Sequence, residues 1–298
     1  MTKINRRKFI QTGVVGVAGF TLLGSGVVTT GCTPKEPIIG KVKLGKTGLN
    51  VSRVAMGTGT VGYNKGSNQT RLGMEKFVEI AQRAYERGMR FFDSADTYGS
   101  VPYVAEAMKS YPRENITFLT KLWTYEDGSE RNEPVDKILD RLRLEGNTDY
   151  FDIVLMHCMR NGNWVNDRTH YIDGLAKAKQ DGIIKAVGVS CHSWDAMVAA
   201  VDHPWVDVIM ARLNPFEAKM DGTTNDVNDL LAKARANGKG VVGMKIFGEG
   251  TKITEEEREK SIRYALKESN MDSMTLGLES VEQLDDAVDR ILRIQKEK

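Results

Sequence analysis

The sequence predicts an α/β fold, a (β/α)8 TIM barrel preceded by a short β-hairpin. From Val51 onward, β-rich runs alternate with amphipathic helical stretches. Consecutive runs lie roughly 30 residues apart, as repeating βα units require, and eight such units in about 250 residues match a closed barrel better than an open sheet. The β-rich runs begin near Val51, Arg90, Thr117, Phe151, Ile184, Val206, Gly240 and Ser273, and the helical patterns include residues 74–87, 135–144, 171–180, 229–236, 255–268 and 281–296.

The first 32 residues are predicted to be an export signal rather than part of the fold. A basic start is followed by a Gly-rich, mildly apolar stretch and then by Cys32. Residues 5–11, NRRKFIQ, resemble the twin-arginine export motif, and residues 29–32, TTGC, resemble a lipobox. We therefore expect an exported protein of the periplasm or cell envelope, with Cys32 as the candidate site of lipid attachment. An uncleaved membrane anchor is the alternative, because the run approaches spanning length.

Residues 33–40 are predicted to form a tether, and residues 41–298 a single barrel domain. Alternating residues on either side of Lys46-Thr47-Gly48 predict the hairpin, which would cover the lower end of the barrel. The next segment, GTGTVG at residues 57–62, matches the dinucleotide fingerprint of a Rossmann fold. However, the polar, aperiodic residues 63–69 follow where that fold would begin a helix. We interpret the segment as a loop leaving the first barrel strand, with Gly57 and Thr58 close to a ligand.

The composition excludes several classes of function. The formal net charge is +2 and no basic stripe is interleaved with aromatic residues, so nucleic-acid binding is not expected. Cys32, Cys158 and Cys191 show no CxxC spacing, which argues against a disulfide framework and a zinc knuckle. Cys191 and His192 are adjacent on a strand and point to opposite faces, so no metal site is predicted there.

Four polar residues lie at or just after the ends of predicted strands: Asp93, Tyr98, Lys121 and His157. Each charged group would be costly to bury alone. Neighbouring parallel strands would bring them together, where they can pair and shift one another's pKa values. This pattern predicts an active site at the C-terminal mouth of the barrel. The alternative is a buried ion-pair network with a tyrosine nearby.

The order of several short motifs resembles the aldo-keto reductases over residues 40–298. The motifs are LGKTGL at 44–49, FDSADTYG at 92–99, LTK at 119–121, MH at 156–157 and GVS at 188–190. The resemblance implies a TIM barrel, a nicotinamide cofactor, NADP or NAD, and interconversion of a carbonyl and an alcohol on a small-molecule carbonyl or sugar substrate. It assigns Tyr98 as the acid that protonates the carbonyl oxygen. Lys121 would then lower the pKa of Tyr98, Asp93 would hold Lys121 charged, and His157 would orient the carbonyl.

The resemblance also implies cofactor contacts, some of which are altered in this chain. Ser190 matches the serine that binds the nicotinamide carboxamide. Cys191 and Met210 stand where many relatives have amides, and Met244 where an aromatic residue stacks. Near the last strand no lysine or arginine precedes Arg290, so NAD is expected as much as NADP. The expected cofactor-binding residues are Gly57, Thr58, Asp93, Ser190, Cys191, Met210, Met244, Ser280 and Gln283.

Three functions remain open at this level. The first is a nicotinamide-dependent oxidoreductase. The second is an enzyme that retains its cofactor and performs redox-neutral sugar chemistry, as an epimerase or lyase does. The third is a catalytically inactive surface binding protein. Two further residues bear on the substrate: Arg212 is interpreted as paired with a carboxylate rather than as an anion site, and Trp123 either walls the substrate pocket or packs in the core.

Overall fold

The structure is a computed structural model that describes residues 38–125 and 133–297. The predicted export signal, with Cys32, and residues 33–37 of the predicted tether lie outside the described residues. Within the described part, no helix has the length and apolar character needed to cross a membrane.

Eight parallel strands close into a barrel, and a two-stranded antiparallel hairpin precedes them. The predicted fold is therefore confirmed. The strands pair in the order β10-β3-β4-β5-β6-β7-β8-β9, closing between β9 and β10. The strands are β1 Lys41–Lys43, β2 Asn50–Ser52, β3 Val54–Gly57, β4 Phe91–Asp93, β5 Thr117–Trp123, β6 Phe151–Met159, β7 Ile184–Cys191, β8 Val208–Arg212, β9 Gly240–Met244 and β10 Ser273–Gly277.

Helices follow the barrel strands and cover the outside of the barrel. They are α1 Asn68–Arg71, α2 Met74–Glu86, α3 Val101–Met108, α4 Val135–Glu145, α5 Trp164–Asp167, α6 Thr169–Gln180, α7 Trp194–Asp202, α8 Thr224–Ala236, α9 Glu255–Lys267 and α10 Val281–Lys296. All six helices that the periodicity predicts are present. The sequence pattern did not indicate α3 and α7, because both are short and mostly apolar, so no polar face alternates with a buried one.

The first barrel strand begins later than the sequence suggested. Val51 belongs to β2 of the hairpin, and the barrel begins at Val54 after Arg53. The hairpin strand and the first barrel strand are therefore separate, because Ser52 is the last residue paired with β1. The hairpin places Leu44 and Val51, both fully buried, against the barrel interior. It therefore closes the N-terminal end of the barrel with apolar side chains.

Three aspartates reinforce this closed end. The Oδ2 atom of Asp152 accepts a hydrogen bond from Phe118 N, that of Asp207 from Val187 N, and that of Asp272 from Val241 N, all at 2.9 Å. Each aspartate lies at or just before the start of a strand and bonds to the backbone of an adjacent strand. Lysine and arginine side chains on the outside pair with the same carboxylates.

Candidate active site

The four polar residues predicted from the strand ends come together at the open, C-terminal mouth of the barrel. Asp93 is the last residue of β4, Lys121 and His157 lie near the ends of β5 and β6, and Tyr98 ends a turn of 3₁₀ helix at Asp96–Tyr98. Parallel neighbours bring their carboxyl ends to one edge, so residues far apart in sequence meet there.

Lys121 and Asp93 form a buried ion pair at the base of the site. The ammonium also donates to Ser94 O at 3.0 Å, and the second carboxylate oxygen of Asp93 accepts from Thr275 Oγ1 at 3.1 Å. Lys121 is 1% exposed and Asp93 6%. Burial lowers the pKa of Lys121, while the Asp93 carboxylate opposes this shift and favours the ammonium.

Tyr98 and His157 form the second part of the site. The Tyr98 hydroxyl lies 3.2 Å from His157 Nε2, and the Thr97 hydroxyl lies 3.3 Å from His157 Nδ1. Lys121 Nζ lies 4.9 Å from the centroid of the Tyr98 ring. Both ring nitrogens of His157 thus have a hydroxyl partner, and the phenol lies between an imidazole and an ammonium.

The pKa of Tyr98 moves in the direction opposite to the one expected from the sequence. Burial, followed by the Asp93 charge, raises the pKa of Tyr98 well above its usual value. The net shift is therefore opposite in direction to the one expected from Lys121, because burial, the largest cause, and the Asp93 charge both disfavour the phenolate. Burial, with the Lys121 charge second, lowers the pKa of His157 well below its usual range. At neutral pH the site holds a protonated phenol beside a neutral imidazole.

The GTGTVG loop packs against Tyr98. A Cβ atom on Gly59 would lie 2.0 Å from the Tyr98 ring, and one on Gly62 would lie 2.3 Å from it. The two glycines are required because the loop backbone passes both edges of the phenol. No α-helix begins inside the segment, since α1 starts at Asn68. The prediction that this segment is a loop, and not a Rossmann helix start, is confirmed by the barrel fold.

A buried carboxylate also fixes the turn that carries Tyr98. Asp96, whose side chain is fully buried, pairs with Lys65, three residues after the GTGTVG loop, and with Arg141 of α4. Arg141 donates to both carboxylate oxygens, at 3.2 and 3.0 Å. Lys65 N also donates to Thr97 O at 2.7 Å. The position of Tyr98 therefore depends on contacts from two other segments.

A cavity of about 780 Å³ opens beside Tyr98 and runs between β10, α10 and the loop after β9. This volume is within the range of cofactor sites. Of the residues expected to bind a cofactor, five line the cavity: Gly57, Asp93, Met210, Met244 and Gln283.

The other four expected cofactor residues do not line this cavity. Thr58 is fully buried and donates to Asp93 O at 2.9 Å, so it supports the backbone of Asp93. Ser190 accepts from Cys158 N at 2.8 Å, at a bulge in β6. Ser280 caps the N-terminus of α10. The side chain of Cys191 packs in the outer core between strands and helices, and burial raises the pKa of its thiol.

Strand alternation explains the difference between Cys191 and its neighbour. Because successive side chains of a strand point to opposite faces, Cys191 turns outward and His192 turns into the cavity. Within the described residues, no group of three His, Cys, Asp or Glu side chains is arranged to hold a metal ion.

Several cavity residues were missed from the sequence. Thr275 could have been predicted, because it lies two residues before Gly277 in the last strand and therefore faces the same side of that strand. Lys245, Glu249 and Arg258 carry no such signal, because they belong to a loop and to α9, which reach the cavity only through tertiary packing. Lys245 pairs with Glu249, and Arg258 Nε donates to Asp286 at 3.1 Å.

Arg212 pairs through two hydrogen bonds with Asp221, so the interpretation of a paired arginine is confirmed.

Trp123 is 5% exposed and packs edge-on against His157, with ring centroids 5.5 Å apart. It also contacts Tyr63 and Tyr125. Trp123 therefore borders the site and packs at the same time.

Comparison with known proteins decides the family. A family model described as the aldo/keto reductase family matches residues 54–298. The chain belongs to the aldo/keto reductase family.

Individual members of this family are distant from the chain. L-galactose dehydrogenase of Arabidopsis thaliana is 29% identical over 212 residues, which cover 67% of this chain and 62% of that protein. Methylglyoxal reductase DkgA of Escherichia coli O157:H7 is 34% identical over 121 residues, which cover 39% of this chain and 40% of that protein. The chain thus spans less than two thirds of the length of these relatives.

A solved member of the family shows the same fold. The aldo-keto reductase AKR11C1 from Bacillus halodurans, in its holo form, superposes with a TM-score of 0.66 at 17% identity, over 87% of this chain and 96% of that one. The family resemblance drawn from the short motifs is confirmed.

Proposed function

We propose that this chain is an NAD(P)-dependent oxidoreductase that interconverts a carbonyl and an alcohol, with Tyr98 as the proton donor and acceptor. One observation carries the proposal: Tyr98 lines the cavity, its hydroxyl lies 3.2 Å from His157 Nε2, and the ammonium of the buried Lys121–Asp93 pair lies 4.9 Å from its ring centroid. The family's named members among the relatives, a dehydrogenase and a reductase, support the same reaction class.

The cavity fits a nicotinamide dinucleotide. Met210 and Met244 present polarizable apolar surface to a flat ring. At the other end, Glu279 and Gln283 offer polar groups to a ribose, beside the N-terminus of α10. Bound NAD(P)H would supply the hydride to the carbonyl carbon. The residues of this chain would supply the proton and the orientation of the carbonyl.

The protonation states suit the reductive direction. A raised pKa keeps Tyr98 protonated, so the phenol donates its proton to the carbonyl oxygen as negative charge develops there. His157 is neutral, and its Nε2 atom stabilises the phenolate oxygen or the carbonyl oxygen by hydrogen bonding. Lys121, 4.9 Å from the Tyr98 ring, provides positive charge to the phenolate that remains.

Replacement of Tyr98 tests the assignment. Tyr98→Phe removes the proton donor, and loss of general acid catalysis typically lowers kcat by about 10²–10⁴-fold. We expect that fall in NAD(P)H consumption with an aldehyde substrate, with a much smaller change in the cofactor Kd. Tyr103→Phe is the matched control, because Tyr103 packs against Phe77 on the outer face of the barrel. Equal turnover in parent and Tyr98→Phe would remove the catalytic role.

We further propose that NAD is preferred over NADP. The end of the cavity near α10 is lined by the carboxylates of Glu279, Glu282 and Asp286, and the Arg258 guanidinium there is already bonded to Asp286. A 2′-phosphate would meet like charge, whereas carboxylates accept hydrogen bonds from the hydroxyls of an adenosine ribose.

Direct binding tests this preference without any substrate. We expect NAD⁺ to quench protein fluorescence with a Kd at least about tenfold lower than NADP⁺, and Glu279→Arg to narrow that ratio by about tenfold, as one favourable charge contact allows. Asp181→Arg makes the same change of charge at the opposite end of the barrel and serves as the control. Tighter NADP⁺ binding by the parent chain would reverse the assignment.

Export is also part of the proposal, supported by the sequence of residues 5–11 and 29–32. Export would favour a second candidate function, since little free NAD(P) is available outside the cytoplasm. In that case the cofactor would remain bound and be reoxidised within each turnover, as in an epimerase or lyase acting on a sugar.

Fractionation of cells producing the full chain and an Arg6→Lys/Arg7→Lys variant tests export, and Cys32→Ala tests lipid attachment.

Three outcomes separate the candidate functions of the purified chain. Consumption of added NAD(P)H with a carbonyl substrate supports the oxidoreductase. Cofactor retained through purification, seen by mass spectrometry, with conversion of a sugar and no net consumption supports the redox-neutral enzyme. Ligand binding with no turnover by the parent chain would indicate a binding protein.

A further inference from the structure

We infer that Thr97 is a positioning residue that fixes the tautomer of His157. In this tautomer Nε2 carries the ring proton, and Nδ1 accepts a hydrogen bond from the Thr97 hydroxyl. The Tyr98 proton is then directed into the cavity, where a carbonyl oxygen would receive it. This inference rests on the proposed oxidoreductase function and adds the residue that determines the direction of the protons in the site.

The three side chains form a short row of polar atoms. The Thr97 hydroxyl lies 3.3 Å from His157 Nδ1, and His157 Nε2 lies 3.2 Å from the Tyr98 hydroxyl. Thr97 and His157 are both buried. Among the described residues, the Thr97 hydroxyl has no other hydrogen-bond partner. The direction of each hydrogen bond therefore depends on which ring nitrogen of His157 carries the proton.

The His157 ring is uncharged and confined by aromatic neighbours. It packs edge-on against Trp123 and Tyr98, with ring centroids 5.5 and 5.3 Å away. Burial, followed by the Lys121 charge, lowers the pKa of His157 well below its usual value. A neutral imidazole has one donor nitrogen and one acceptor nitrogen. The ring therefore has two arrangements of its proton, which differ in their consequences for Thr97 and Tyr98.

The arrangement with the proton on Nδ1 leaves a buried donor unsatisfied. His157 Nδ1 would donate to the Thr97 oxygen, and the Thr97 hydroxyl proton would then have no acceptor among the described residues. A buried donor without an acceptor is costly. Tyr98 would also donate its proton to His157 Nε2, and that proton would point away from a substrate in the cavity.

The arrangement with the proton on Nε2 leaves no donor of Thr97 or His157 unpaired. Thr97 donates to Nδ1, and Nε2 donates to the Tyr98 oxygen. The Tyr98 proton is then free to point into the cavity that Tyr98 lines. When the Tyr98 O–H bond breaks and the proton moves to the carbonyl oxygen, the Nε2 proton stabilises the phenolate that forms.

The backbone holds the Thr97 hydroxyl in place for this role. Lys65 N donates to Thr97 O at 2.7 Å. The carboxylate of the preceding residue, Asp96, is fixed by Arg141 of α4. Thr97 therefore acts on Tyr98 only through His157, as a positioning residue, and its contribution can be removed without removing any group that would touch a substrate.

Nitrogen-15 NMR of the purified full chain, labelled at histidine, tests the tautomer without a substrate. A protonated ring nitrogen resonates upfield of an unprotonated one, couplings to the ring C–H protons distinguish Nδ1 from Nε2, and His157→Gln identifies the signals by their loss. We expect a protonated Nε2 in the parent chain. The Nδ1 signal should move downfield in Thr97→Val, because the nitrogen loses the hydrogen bond that it accepts, and Thr97→Ser should keep the parent signal.

Turnover tests the consequence for catalysis. Thr97→Val keeps the shape of the side chain and removes the hydroxyl. We expect kcat with an aldehyde substrate to fall about tenfold, as loss of one hydrogen bond predicts, with much smaller changes in KM and in the cofactor Kd. Thr97→Ser should recover most of the parent kcat. Thr120→Val is the matched control, because the Thr120 hydroxyl on β5 is also buried but has no hydrogen-bond partner.

The two measurements separate this inference from the proposed function. A proton on Nδ1 in the parent chain, or an Nδ1 signal that Thr97→Val leaves unchanged, overturns the inference. Equal kcat in Thr97→Val and the parent, or the same loss in Thr120→Val, also overturns it. A parent chain that reduces no aldehyde with NADH or NADPH contradicts the proposed function instead. The parent spectrum decides the tautomer even if Thr97→Val does not fold.

Discussion

The two ends of the barrel both bury carboxylates, but their partners differ. At the closed end, Asp152, Asp207 and Asp272 accept hydrogen bonds from backbone N–H groups and pair with cations that reach solvent. At the open end, Asp93 pairs with Lys121, which is itself buried, and Asp93 also faces the cavity. Burial of a carboxylate therefore does not identify a catalytic group. A buried cation as partner, together with an open cavity, distinguishes Asp93 from the three closed-end aspartates.

The energetic roles of these carboxylates differ accordingly. A carboxylate that bonds to backbone N–H groups satisfies donors that would otherwise be buried without acceptors, so it supports the fold. An ion pair buried on both sides gains little net stability, because desolvation offsets the attraction between the charges. The Lys121–Asp93 pair is better explained by the chemistry at Tyr98 than by stability.

Separating the buried pair should have the largest effect on stability. Lys121→Met leaves the Asp93 carboxylate buried without its cation, and loss of one partner costs about 3–5 kcal/mol of unfolding free energy. Urea denaturation at pH 7 measures the change. The Lys121→Met/Asp93→Asn double variant should recover much of it, since no charge is then left unpaired. A Lys121→Met variant as stable as the parent would show that Asp93 remains well solvated, and the two ends of the barrel would then not differ in this respect.

A closed-end carboxylate should affect stability alone. Asp272→Ala removes the acceptor of Val241 N and of Gly45 N, at 2.9 and 3.3 Å. Leaving a buried donor unsatisfied costs about 1–3 kcal/mol, so we expect a loss of about 2 kcal/mol with turnover and cofactor Kd unchanged. Asp272→Asn keeps an acceptor oxygen and should be milder. A loss of turnover in folded Asp272→Ala would break the distinction between the two ends.

The part of the site that the sequence predicts is the part that strands carry. Asp93, Lys121 and His157 end apolar runs, and the repeating βα spacing predicts that such ends meet at one mouth. The alternation of side chains along a strand also correctly predicts that Met210 and Met244 face the barrel interior. For these residues the place in the strand predicts the place in the fold, because every βα unit of a barrel has the same geometry.

The remainder depends on contacts between distant segments. Arg258 and Lys245 reach the cavity from α9 and from a loop, where no periodicity fixes direction. The pKa of Tyr98 could not be predicted from the presence of Lys121, because it depends on burial and on Asp93 as well. The pairing of Asp96 with Arg141 of α4 likewise depends on the packed structure.

The smallest effect that should separate the two ends is pH dependence at the open end. The pKa of His192 is lowered to about 3, and that of His157 is lowered well below its usual value. Both rings are neutral in the folded state, whereas an unfolded histidine takes up a proton below about pH 6.5. Their contribution to stability is therefore fully present above pH 6.5 and is lost as the pH falls toward the folded pKa, at about 1.4 kcal/mol per pH unit for each ring.

Urea titrations between pH 7 and 5 measure this loss. His192→Leu should reduce the slope of the unfolding free energy against pH by about 1.4 kcal/mol per pH unit, which is the contribution of one histidine ring.

Glu259→Gln on α9 is the contrasting variant. The hydrogen bonds of Arg293, Arg290 and Arg263 outweigh burial and lower the pKa of Glu259 to about 2. A depressed carboxyl pKa gives stability that is lost only below the unfolded value, so this variant should follow the parent down to about pH 5. Parallel curves for the parent and His192→Leu would mean that His192 is as easily protonated in the fold as in the unfolded chain, and the open end would then lack the desolvation on which its chemistry depends.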